Sequence, residues 1–256
     1  MSQLASPVEI YWISGSPFAW RVLLTAEVKG IPYEGKLLEA SKGELKAPEF
    51  LAINPLGRVP ALRDGNFTLH ESLAIMVYLD RKHPNPPLFG RTAEEAGRIF
   101  ERISEFISDF WPLGQRLIRS IFFGPPLAAD EAKEVREKIH LSLARLEECA
   151  ESGVWIAGPD LTAADIVAYP SLKLLLRASR RPEAVPLARG LDGFETRFRA
   201  SLPGCNGWSS SQAMRRPIRR IGGRRSGGSA WQESSGDLGV AHDSIYCSVA
   251  LHRVAK

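Results

Sequence analysis

The chain has 256 residues, 33 Lys and Arg against 29 Asp and Glu, 44% hydrophobic side chains and three cysteines, which suits one or two globular domains with an ordinary core. No apolar run reaches the roughly 20 residues of a membrane helix, residues 1–7 lack the flank and apolar segment of a secretory signal, and Cys149, Cys205 and Cys247 fit neither a disulfide framework nor a zinc site. A cytoplasmic protein without a metal centre is therefore expected. The net charge of +4 is uneven: residues 206–256 hold seven Arg and one Lys against three acids, a net +5, which leaves the first 205 residues at −1 and gives no support to a nucleic-acid partner.

Residues 8–13 alternate and are β-branched or aromatic, as a strand requires. Ser16, Pro17 and Gly30 mark the N-cap, first position and C′ of a helix. A second strand over Tyr33 to Glu39 completes a β-α-β unit. Gly43 to Leu51 reads as a short helix, and Asn54-Pro55-Leu56-Gly57 as a turn. Val59 to Leu62 and Phe67 to Leu69 read as strands joined through Asp64-Gly65-Asn66. A helix over Glu71 to Lys82 ends at His83-Pro84.

The Pro-rich stretch from Asn85 to Gly90 separates this unit from one that is helical only. Thr92 and Glu95 are expected to form a capping box opening a long helix, which Pro112 should interrupt. A second long helix is expected from about Asp130 to Glu151. Leu161-Thr162-Ala163-Ala164-Asp165-Ile166 has both a capping box and a staple, and starts a buried helix through Leu176. From about Asn206 the sequence turns rich in Ser, Gly and Arg pairs, and this tail is expected to be disordered or non-native. An Arg-rich arm for anionic surfaces is the rival reading of the tail.

Three places could carry chemistry. Ser16 places a hydroxyl where free helix N–H groups favour an anion, or it merely caps the helix. Val59-Pro60 opens a strand. The base rate favours a trans bond there, whereas a cis bond would free the Val59 backbone for a ligand. Glu71-Ser72 either caps a helix or holds the ammonium and carboxylate of an amino-acid head. The thioredoxin-shaped first unit has no Cys before residue 149, so disulfide exchange is not expected. The five histidines show no metal-ligand spacing.

Taken together, Ser16 to Val22, Asn54 to Leu62, Glu71 to Ile75 and Trp155 to Ile166 resemble the cytosolic glutathione transferase family over about residues 8–204, on the serine-type (theta, zeta, phi) pattern. The resemblance implies an α/β thioredoxin-like N-terminal domain (1–84), a linker (85–91) and an all-α C-terminal domain (92–205), followed by the tail at 206–256. It implies a cytoplasmic homodimer with glutathione as co-substrate. Ser16 would donate to the thiolate. Val59 would pair with the cysteinyl backbone beside a cis Pro60. Glu71 and Ser72 would hold the γ-glutamyl head, and Arg58 and Lys46 the glycine carboxylate. Ser14, Phe18, Phe106, Phe110 and Trp111 are candidates for the electrophile pocket. The implied activity is attack of glutathione thiolate on a small apolar electrophile. A zeta-like glutathione-dependent isomerase and a non-catalytic binding protein are the alternatives; Pro17 and Phe18 stand where the isomerases have Ser and Cys.

Overall fold

The computed structural model describes residues 7–151 and 155–181. Strand β1 (Val8–Trp12) runs into helix α1 (Pro17–Val28) and strand β2 (Tyr33–Leu37). β1 and β2 pair in parallel, which a chain can do only through a crossover such as α1. Pro48–Leu51 forms the short α2. The helix expected over Gly43 to Leu51 is instead broken. Gly43 adopts φ 75° between two single 3₁₀ turns, and Pro48 restarts the chain at an α-helical first position. Strands β3 (Ala61–Asp64) and β4 (Phe67–His70) form a hairpin whose two-residue loop is Gly65-Asn66. β3 begins at Ala61 rather than Val59. The sheet order is β2-β1-β3-β4.

Alternation along the strands sends side chains to two cores. Ile10 and Leu62 face α1 and α3 (Ser72–Lys82), whereas Tyr11 and Ala61 face Leu45, Phe50 and Ile53. The first core continues without a break into the helical part.

That part comprises α4 (Ala93–Glu105), α5 (Trp111–Phe122), α6 (Ala129–Glu151) and α7 (Ala163–Ser179). Thr92 Oγ1 caps α4 through Glu95 N at 3.2 Å. The reciprocal half of the expected capping box is different, because the Glu95 carboxylate accepts from Arg91 N. Between α4 and α5, Phe106–Phe110 winds as a π-turn, and Pro112 sits in the first turn of α5. The interruption read from Pro112 is thus present. At α7 the box is complete: the Asp165 carboxylate accepts from the Thr162 N–H and hydroxyl and from Ile156 N, each at 2.9 Å.

The connecting segment is fixed at Leu88, which is fully buried. Leu88 N donates to Asp80 of α3 at 2.9 Å, and Leu88 O accepts from Ala163 N at the start of α7 at 2.8 Å. Lys29 Nζ pairs with Asp80 at 2.7 Å in the same buried place. The expected tail at 206–256 lies outside the described residues.

Candidate active site

Ser16 is the N-cap of α1, with extended backbone, and its Oγ accepts from Ala19 N at 3.2 Å. A hydroxyl has one donor and two acceptor positions. Using a lone pair on the helix leaves the Ser16 proton available to a ligand, so capping and donation are compatible in this geometry. Ser16 also lies on the wall of a cavity of about 560 Å³ between α1 and α7.

The second group of residues gathers around the turn before β3. Asn54, almost fully buried, donates through Nδ2 to Arg58 O at 2.6 Å and accepts from Leu56 N at 3.1 Å. Gly57 has φ 60°, and a Cβ there would stand 2.7 Å from Leu45 O and 2.9 Å from Lys46 Nζ. The Lys46 ammonium is thereby folded against the turn, with the exposed Arg58 beside it in sequence. The Val59–Pro60 bond is cis, against the trans form that the base rate alone favours. Among the described residues none hydrogen-bonds the Val59 N–H or C=O.

The third group stands where β4 enters α3. Glu71 has φ 74° and ψ 119°, a conformation unusual for a residue with a Cβ and costing about 1–3 kcal/mol. It is exposed, and Ser72 is buried at the first position of α3. The helix N–H groups and the Ser72 hydroxyl thus offer donors beside an exposed carboxylate.

The expected electrophile residues fall differently. Phe106, Phe110 and Trp111 are core residues, and the cavity holding Ser16 is not lined by them. Phe18 is half-buried and packs edge-on against Trp111 with ring centroids 5.7 Å apart. Ser14 is half-buried in the turn before Ser16 and is also off the cavity wall. The wall opposite Ser16 comes instead from α7, about 150 positions away. It includes Pro170, Lys173, Leu174 and Arg177, which sequence spacing could not connect to Ser16. The sequence marks Asn54 only as the start of a turn; the structure makes its side chain the brace of that turn, an Asx residue bonding its own backbone.

Beneath the site, Arg21 is 2% exposed. Its Nε donates to Val167 O and its Nη2 to Ser171 Oγ, both at 3.0 Å, and its guanidinium lies 4.9 Å from the Phe18 ring centre. Burial pushes the guanidinium pKa down to about 10.

The site thus combines a thioredoxin-like sheet with a cis-proline turn, a hydroxyl rather than a thiol at the amino end of the first helix, and a helical partner unit. Comparison with known proteins is specific. Residues 15–82 match the glutathione S-transferase N-terminal domain, and residues 93–210 match the C-terminal domain. Glutathione S-transferase F10 of Arabidopsis thaliana is 33% identical over 162 residues, 61% of this chain and 75% of that protein. The crystal structure of poplar glutathione transferase F1 superposes with a TM-score of 0.68 at 26% identity, covering 82% of this chain and 99% of that one. Glutathione S-transferase-I bound with lactoylglutathione matches at 26% identity and a TM-score of 0.57, over 72% of this chain and 99% of that one. The chain belongs to the glutathione S-transferase family. These matches do not favour the isomerase alternative over the transferase reading.

Proposed function

We propose that this glutathione transferase makes its nucleophile at Ser16. The Ser16 hydroxyl donates to the sulfur of glutathione and stabilises the thiolate at the amino end of α1, where the helix dipole also favours negative charge. The sulfur then attacks a small apolar electrophile. The C–S bond forms, the leaving group departs with its electron pair where there is one, and the thiol proton goes to solvent. The observation that supports this most is the Ser16 geometry: its oxygen serves the helix as an acceptor while its proton is free, on the edge of a cavity. A charge-assisted hydrogen bond is worth roughly 1.5–3 kcal/mol, about one to two pKa units off a free thiol near 8.5.

The remaining assignments follow the same placement. The unpaired Val59 backbone, presented by cis Pro60, takes the cysteinyl backbone. Ser72 and the helix N–H groups take the γ-glutamyl carboxylate, and Glu71 takes its ammonium. Lys46 and Arg58 meet the glycine carboxylate. Of the residues expected around the electrophile, Ser14 in the loop and Phe18 in the first turn of α1 lie near the reacting sulfur, with Trp111 packed against Phe18 from the core. No metal is required. Residues 1–84 form the glutathione-binding domain, 85–91 the linker and 92–205 the helical domain. The exposed apolar side chains Leu56, Phe67 and Phe100 suit a homodimer interface. Among the described residues no helix is long and apolar enough to cross a membrane, and a cytoplasmic location accords with the family.

Ser16→Ala tests the reading. Thiolate absorbance titration of the bound complex should show the thiol pKa rising by about one to two units. Turnover at neutral pH should fall about ten- to hundredfold, with glutathione still bound. Unchanged turnover would remove Ser16 from the mechanism.

A further inference from the structure

Arg21 is a buried charge that the chemistry at Ser16 does not use. It is 2% exposed, and its two hydrogen bonds run to uncharged oxygens of α7, Val167 O and Ser171 Oγ. No carboxylate among the described residues pairs with it; burial alone acts on its pKa, and at about 10 the group is still a cation at neutral pH. Buried charges ordinarily carry an opposite partner, so this one leaves its field uncompensated in the core. The acids of α1 and of the elements packed against it are engaged elsewhere. Asp165 of α7 accepts from Ile156 and Thr162, and Asp80 of α3 is held by Lys29 at the far end of α1. Glu27 of α1 accepts from Tyr33, and Glu9 of β1 from Arg63 and Tyr11. The other charged side chains of α7, Lys173 and Arg177, have the same sign as Arg21.

The guanidinium is also turned toward the reacting end. Side chains on a helix lean toward its amino terminus, and Arg21 follows that rule: its guanidinium carbon lies 4.9 Å from the centre of the Phe18 ring, in the first turn of α1 and two residues from Ser16. Five residues at about 1.5 Å of rise plus one hydrogen bond put a thiolate at Ser16 about 10 Å away. At an effective dielectric constant of about 20, a unit charge at that distance moves a thiol pKa by about one unit, and burial shields the effect from salt. We propose that Arg21 is a positioning residue for the nucleophile: its charge, fixed over the first turn of α1 by two bonds to α7, joins the Ser16 hydroxyl and the helix terminus in holding the glutathione sulfur as an anion. This rests on the transferase reading and adds to it a residue that never touches the substrate.

The experiment titrates the thiolate absorbance of glutathione bound to the full chain, in wild type, Arg21→Met and Arg21→Lys. Arg21→Met fills the same space without the charge and should raise the bound thiol pKa by about one unit. Arg21→Lys keeps the charge without the fork and should stay within about 0.3 of the wild-type value. In the pH–rate profile, kcat/KM of Arg21→Met should fall about tenfold below the wild-type pKa and converge with wild type above both values. The pKa difference should persist at about 1 M salt. Ser171→Asp and Ser171→Asn form an independent pair that leaves Arg21 in place. The new carboxylate should neutralise the guanidinium and raise the thiol pKa as Arg21→Met does, whereas the amide should not; this comparison stands even if Arg21→Met does not fold. An Arg21→Met value within about 0.3 of wild type, equal rises in Arg21→Met and Arg21→Lys, or equal values in the two Ser171 variants would overturn the proposal. A wild-type bound thiol left at its ordinary value near 8.5 would instead count against the thiolate reading at Ser16 beneath it.

Discussion

Ser16 shows how one side chain serves structure and chemistry without conflict. Its lone pair terminates α1 and its proton remains for a ligand, so the choice between cap and donor that the sequence poses is not exclusive. Gly57 is constrained twice, by its positive φ and by Leu45 O lying where a Cβ would go. Alanine there has to strain the backbone and push the Lys46 ammonium aside. Gly57→Ala should therefore lower stability by about 1–3 kcal/mol and raise KM for glutathione, as read by thermal melting and initial rates. An unaltered melting temperature would show that the turn can relax.

At the scale of elements, α1 is docked on α7 through Arg21, and competing magnitudes decide what that residue is worth. Burial moves its pKa from 12.5 to about 10, which corresponds to about 3 kcal/mol against the charge. Its two hydrogen bonds across the interface return roughly 1.5–3 kcal/mol each. At the lower end of that range the two cancel, and the guanidinium then gives orientation more than stability. Arg21→Met, which fills the same space, should stay within about 1 kcal/mol of the parent, whereas Arg21→Ala should cost about 2–5 kcal/mol through the cavity it leaves. Chemical denaturation measures both, and equal losses would show that the hydrogen bonds dominate. The π-turn at Phe106–Phe110 is a second device of this size. It carries the chain from α4 into α5, where Pro112 cannot accept a regular helical continuation.

For the whole molecule, a buried polar cluster ties the connecting segment down within the continuous apolar core of the two parts. Lys29 and Asp80 are paired with side chains 0% and 3% exposed, and Asp80 also holds Leu88 N. Asp80→Asn keeps the shape but removes the charge opposite Lys29, whose ammonium keeps the Pro86 carbonyl as an acceptor, at an expected cost of about 3 kcal/mol, the low end for breaking a buried pair. A double Lys29→Met/Asp80→Leu variant should recover much of that loss, and calorimetry of the three proteins tests it. Acid should also loosen the α/β part. Glu9 is held below its usual 4.5, chiefly by the hydrogen bond from Arg63. At Asp64 burial pushes the pKa up, but the bonds from Lys82 and Tyr78 outweigh it and leave the carboxyl lowered. Carboxyls with depressed folded-state values stabilise above their unfolded values, and that contribution is lost as pH falls through the folded ones. The urea midpoint should fall from about pH 5 downward, and Glu9→Gln should flatten the slope. An equal slope in that variant would place the acid sensitivity elsewhere.

Local chemistry determined what the sequence could show. Strand alternation, the caps of α1 and α7, the Gly-Asn hairpin and the motif around Ser16 all depend on residues within a few positions of one another, and they sufficed for the fold and for the family. The cis state of Val59–Pro60, the strained backbone at Glu71 and the brace from Asn54 are set by packing that no local propensity encodes. The same holds for the α7 residues that face Ser16 and for the burial of Phe106, Phe110 and Trp111. A cavity between α1 and α7 joins positions about 150 residues apart, and only the closed core brings them within reach of a single ligand.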